Sequence, residues 1–159
     1  MTPWSVQPGP APCLGEVILH RQWPSRLDVK DEIIAVLSAA LLDRGWVLSD
    51  DEPWLVLCLD EVVVNAMLHG NEGDPYLTID VHLFQHQDRW CLHVADHGDG
   101  FSPAQVPDSE DSDSLLLEHG RGIRIMSEWL DRLTFYRNGA TAVLERRIEP
   151  TIAKRPHGL

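Results

Sequence analysis

Two spacings of apolar residues divide most of this chain. Between Leu27 and Asp43 the positions Leu27, Ile33, Ile34, Leu37, Ala40 and Leu41 recur near the 3.6-residue period of a helix with one buried face. Gly45 supplies a stop, because glycine adopts the left-handed backbone that closes many helices. A second helix is predicted from Trp54 to His69. Asp50 or Asp51 can cap it, and Pro53 suits a first turn, where an N–H has no partner to lose. Its apolar residues are too dense for a single stripe, so it must be buried on most sides.

Elsewhere the spacing is two. Leu77, Ile79, Val81 and Leu83 alternate with Thr78, Asp80, His82 and Phe84; after a turn over residues 85–88, Trp90, Leu92 and Val94 alternate with Cys91 and His93. The two strands predict a hairpin that ends at Asp96. An opening strand is predicted over 14–20, stopped by Trp23-Pro24. Two closing strands, 133–136 and 141–148, meet at Asn138-Gly139, a dipeptide suited to tight hairpin turns. A short helix, 123–131, precedes them. The order strand, helix, helix, strand, strand, helix, strand, strand predicts an α+β two-layer sandwich, one mixed sheet with helices on one face.

A chain of 159 residues with 43% hydrophobic content can bury one sizeable core. The expected division is a flexible N-terminal segment over 1–13, a domain over 14–149 and a polar tail over 150–159. Residues 103–117, rich in Ser, Asp and Glu, lack periodicity and predict a mobile loop, suited to a lid over a ligand.

Chemistry enters where polar residues break the pattern. Glu61, Asn65 and His69, spaced by four, share one face of an otherwise apolar helix. Burying a carboxylate without a partner is costly, so that face must meet water or a hydrogen-bond network. His69, next to Gly70, reads as a helix-end residue. Asp96 stands at a strand end, followed at once by Gly98 and Gly100, where it can receive a ligand on a rigid support. Gly120, Arg121 and Gly122 then open a helix whose N-terminal N–H groups favour anions. A GxxxxGK[ST] loop is absent, so a nucleotide would not be held through one.

Taken in order, these segments resemble the GHKL superfamily of ATP-binding domains, whose architecture is the Bergerat, or histidine-kinase-like, fold. Glu61-xxx-Asn65 with Ala66-Met67-Leu68-His69-Gly70-Asn71, then Gly120-Arg121-Gly122-Ile123, is similar to bacterial anti-sigma-factor serine kinases of the RsbW and SpoIIAB type. The resemblance implies ATP and Mg²⁺ as cofactors. Glu61 would be the general base and Asn65 the residue holding Mg²⁺ against the phosphates. Asp96 would accept from the adenine amino group, and Gly98, Gly100, Gly120, Arg121 and Gly122 would surround base and phosphates.

The same resemblance implies a partner-switching function. The protein would sequester a sigma factor and phosphorylate a serine on a STAS-type anti-anti-sigma partner, and relatives of this type are often homodimers. Two departures stand out. Glu118-His119 occupies the place where a basic residue often meets the γ-phosphate, which leaves Arg121 or Arg124 for that role. Ala140, not Thr, follows Gly139, so Thr141 would have to support adenine after a register shift. These departures keep two alternatives open: a nucleotide-binding anti-sigma or switch module without kinase activity, and a detached ATPase module of a sensor kinase.

Net charge refines this picture. At −12 the chain lacks the basic balance of a nucleic-acid binder. The same charge would repel ATP, so a divalent cation and local donors are required on physical grounds. Three cysteines at no metal-like spacing predict a reducing, cytoplasmic setting, and the four prolines within residues 1–12 exclude a secretory leader there.

Overall fold

The computed structural model describes residues 4–13, 15–98 and 122–148. Their regular structure comprises strands β1 (Trp4–Val6), β2 (Glu16–Pro24), β3 (Thr78–His86), β4 (Arg89–Ala95), β5 (Arg132–Tyr136) and β6 (Thr141–Arg147). The helices are α1 (Lys30–Leu42), α2 (Glu52–Val64) and α3 (Gly122–Trp129).

The alternating positions do what their spacing predicts. Ile79, Val81 and Leu83 of β3, Trp90, Leu92 and Val94 of β4, and Ala142 and Leu144 of β6 enter one buried cluster with Ile33, Leu37 and Leu41 of α1 and Leu55, Leu59 and Val62 of α2. Residues of intervening parity, among them His82 and His93, lie on the other sheet face, where His20 and His82 stack with ring centroids 3.8 Å apart. The six strands form one sheet in the order β1-β5-β6-β4-β3-β2. Four of the five pairings are antiparallel and β1 runs parallel to β5, so the sheet is mixed.

Strand β1 corrects the expectation of a flexible segment over residues 1–13. Trp4, Ser5 and Val6 pair with Leu133, Thr134 and Phe135. The next residues hold on further: Gln7 N–H donates to Phe135 O at 2.7 Å, and Arg137 N–H to Gly9 O at 2.8 Å. Three residues between prolines carry no readable alternation, and their partner is more than 120 residues away, so only the tertiary fold reveals them. The opening strand also runs past its expected stop. Trp23 is buried and pairs with Ile79, and Pro24, which has no N–H to offer a ladder, is the last residue of β2.

Helix α2 ends differently from the sequence expectation. Its α-helical bonding stops at Val64, and Asn65–Gly70 continue as a π-helical turn that closes with Asn71 N–H donating to Ala66 O at 2.8 Å. Asp51 occupies the N-cap position without making a side-chain cap bond; its carboxylate pairs instead with Arg146 at 3.6 Å. The stretch Ser49–Gly70 is long and apolar enough by composition to cross a membrane. Here Leu55, Cys58, Leu59, Val62 and Val63 are spent on the core, which accounts for the density of its apolar residues.

Hairpin β5–β6 turns through Arg137, Asn138 and Gly139, all with positive φ (52°, 57° and 116°), conformations that Asn and Gly tolerate well. It brings Ala140 beside the end of β4, where Asp96 N–H donates to Ala140 O at 2.8 Å.

Trp4 packs partly buried against the core. Trp4→Ala is expected to lower the unfolding free energy by about 1–3 kcal/mol in urea denaturation. A free N-terminal segment would give no change.

Candidate functional site

The site is built where the end of α2 meets the end of β4. Asp96 is only 6% exposed, and its Oδ1 accepts from Gly98 N–H at 2.7 Å. Its other oxygen faces Gly70, the last residue of the π-helical turn, so closely that a Cβ there would fall on the carboxylate. A Cβ at Gly98 would likewise fall on the Gly70 carbonyl. These two glycines permit a backbone-to-carboxylate approach that side chains would block.

Asn71 closes the junction. Its Oδ1 accepts from His97 N–H at 2.8 Å, and its Nδ2 donates to Thr78 O at 3.0 Å. The imidazole Nε2 of His97 and Thr78 Oγ1 lie 3.1 Å apart. Neither Gly70 nor Asn71 was singled out as a site residue in the sequence. Gly70 reads as a helix stop, and a close approach between residues 26 apart leaves no periodic trace.

Burial dominates the electrostatics. It raises the Asp96 pKa from an ordinary 3.8 to about 6, against the opposing pull of the Gly98 N–H, Arg137 and His97. Glu61, half-buried on α2, is also raised, first by burial and then by the adjacent Asp60, with Lys30 opposing. Lys30 itself is held to Asp60 at 2.7 Å. Among the described residues, that pairing leaves Glu61 as the acid of the two without an ion pair to a cation.

Glu61 meets the start of α3. A Cβ at Gly122 would fall on the Glu61 carboxylate, so the two elements are in contact at a residue without a side chain. Asn65 follows one turn later, its backbone N–H donating to Glu61 O and Val62 O. Glu61 thus lies in the last turn of α2 and Asn65 opens the π-helical turn that continues it. From Glu61 to Gly70, which lies against Asp96, is nine residues, on the order of 12 Å along a helix. That is the length scale of a nucleoside triphosphate.

Sequence comparison can be added to this geometry. Residues 24–146 match the family described as the histidine kinase-like ATPase domain. The chain belongs to that family. It follows that this is a nucleotide-binding domain of the GHKL type, with ATP as its ligand class, and its mixed six-stranded sheet and three helices agree with the fold. No curated protein matches the chain closely enough to serve as a relative.

The remaining expected site residues divide in two. Gly100, Gly120 and Arg121 lie outside the described residues, as do Glu118-His119 and the loop 103–117. Thr141 is described and buried, and it stands opposite Ala95 in the β4–β6 ladder. By strand alternation it shares a face with Val143, whereas Ala142 and Leu144 point into the core beneath the helices. Alternation thus turns Thr141 away from the helix side, and Ala140 is the residue bonded to Asp96. Arg124, the other candidate for the γ-phosphate, is exposed on α3.

The Asp96 shift makes a signed prediction. A folded-state pKa above the ordinary value means that the folded protein holds the proton more tightly. The associated stability is present below about pH 4 and is lost as pH rises through about 6. Asp96→Asn should therefore gain about 2–3 kcal/mol over wild type at pH 8 and nothing comparable at pH 4, read by denaturant midpoints.

Proposed function

We propose that this ATPase domain is a protein serine/threonine kinase acting as an anti-sigma factor in the cytoplasm. It would phosphorylate a serine of a STAS-type anti-anti-sigma partner and thereby decide whether the sigma factor is held or released. The observation that carries the reading is the contact of Glu61 with Gly122. It puts a carboxylate of raised pKa beside a helix N-terminus that suits phosphate, with Asn65 one turn away.

In that arrangement Asp96 accepts a hydrogen bond from the exocyclic amino group of adenine. Guanine would present a carbonyl oxygen there, and two acceptors would repel. At the other end, N–H groups of α3 would receive phosphate oxygens, and Asn65 would hold Mg²⁺ through a neutral oxygen. Mg²⁺, when bound, offsets phosphate charge that a chain at −12 would otherwise repel. The partner's serine hydroxyl attacks the γ-phosphorus, its proton passes to Glu61, and the bond to the β-phosphate oxygen breaks, releasing ADP. Burial makes Glu61 a stronger base than an exposed carboxylate, so transfer should rise with pH as Glu61 loses its proton.

A second reading keeps nucleotide binding and removes transfer. Ala140 in the hairpin and Glu118-His119 ahead of Gly120 favour it, since each replaces a group that would aid nucleotide or γ-phosphate. The two readings separate by radiolabelled transfer from ATP to a purified STAS protein, with titration calorimetry beside it. For the kinase, Glu61→Ala is expected to keep Mg-ATP affinity within about threefold and to lower transfer by about 10²-fold or more. Asn65→Ala is expected to lose Mg²⁺-dependent binding. Wild type that binds Mg-ATP and transfers nothing to any STAS partner of the same genome would leave the switch module.

A further inference from the structure

Asn71 is the polar residue at this junction with no assigned part in nucleotide chemistry. It is 2% exposed, and its four polar groups are each bonded to a different residue. Its N–H donates to Ala66 O in the π-helical turn at 2.8 Å. Its own carbonyl accepts from Asp74 N–H at 3.0 Å. The side-chain amide donates to Thr78 O at the start of β3 and accepts from His97 N–H in the turn after β4. Only a primary amide supplies a donor and an acceptor from one planar group of this size. A carboxylate would set an anion against the Thr78 carbonyl, and alanine would orphan two buried backbone groups.

We propose that Asn71 is a positioning residue for base recognition, pinning the turn Asp96-His97-Gly98 between β3 and the end of the helix that carries Glu61 and Asn65. This rests on the nucleotide reading of the site. His97 N–H, held by Asn71, directly precedes Gly98 N–H, which holds Asp96 Oδ1. Fixing one peptide fixes the direction of the next. The acceptor for the base is thus aimed before a base arrives, and binding does not have to order it. The same amide transmits the position of the π-helical turn to that acceptor, so base and phosphate ends keep their separation.

The test uses the full chain with Asn71→Asp, and Asn71→Ser should the first fail to fold. Amide hydrogen exchange at His97 and Gly98 is followed by NMR without nucleotide, and calorimetry gives the affinities for Mg-ATP and Mg-GTP. The expected result is exchange at His97 and Gly98 faster by about tenfold, with Val143 and Leu144 unchanged. ATP affinity should fall by about tenfold while the weaker GTP affinity stays the same, so the ATP/GTP preference collapses. Unchanged exchange in the turn, or a preserved ATP/GTP ratio, overturns the proposal. Wild type that binds neither nucleotide overturns the nucleotide reading and the positioning role with it, and the exchange arm then reports only a structural clamp.

Discussion

A carboxylate kept out of water at the meeting of a helix end and a strand end constrains this molecule more than any other contact. Asp96 is buried and its pKa lies near 6, so its charge is maintained at neutral pH against a desolvation penalty. The surroundings offset that penalty in a particular way. Gly98 gives a backbone N–H, Arg137 and His97 give favourable charge, and Gly70 gives proximity without a side chain. Remove the space at Gly70 or the bend at Gly98, and the acid cannot lie where it does. The hairpin that supplies Arg137 also delivers Ala140, whose carbonyl takes the Asp96 N–H. The end of β4 and the β5–β6 turn are therefore joined at Asp96.

Helix α2 joins that acid to the other. Its inner face belongs to the core, so its position on the sheet is set by apolar packing rather than by the site. Glu61 and Asn65, both half-buried, lie at the edge of that buried face. The π-helical turn ends the same helix at Gly70, and Asn71 converts its end into a fixed point. The stretch from Glu61 to Gly70, with one acid at each of its ends, acts as a ruler, and a two-ended ligand needs its two subsites at a constant separation.

Local pattern carried most of this. Alternation in β3 and β4 located the central hairpin because one face is buried and the other is not. The four-residue spacing placed Glu61 and Asn65 together, and Asn138-Gly139 marked the last turn correctly. What failed to show was non-local. Trp4–Val6 form a strand only because β5 offers an edge, and no short-range preference encodes that edge. Gly70 looks like punctuation until Asp96 is seen beside it. Asn71 looks like a loop residue until its two amide partners, Thr78 and His97, converge on it. Thr141, whose residue type suits the adenine end, lies by alternation on the sheet face away from the helices, which its sequence position alone does not show.

Electrostatics sharpen what such a pocket can tolerate. Both acids, Glu61 and Asp96, are raised chiefly by burial, and the whole chain stands at −12. Lys30, whose charge acts on Glu61, is already paired with Asp60. A triphosphate entering between these acids gains from the N–H groups at the start of α3, but one helix terminus contributes about half a charge. That cannot balance several phosphate charges. The deficit must be met by a bound cation or by residues on the approach to Gly122, and either makes occupancy conditional on something other than the base. Under the proposed reading, recognition of the base through Asp96 and retention of the phosphates would be separable in this molecule. A domain with these roles would distinguish nucleotides by their phosphate end while holding the same base.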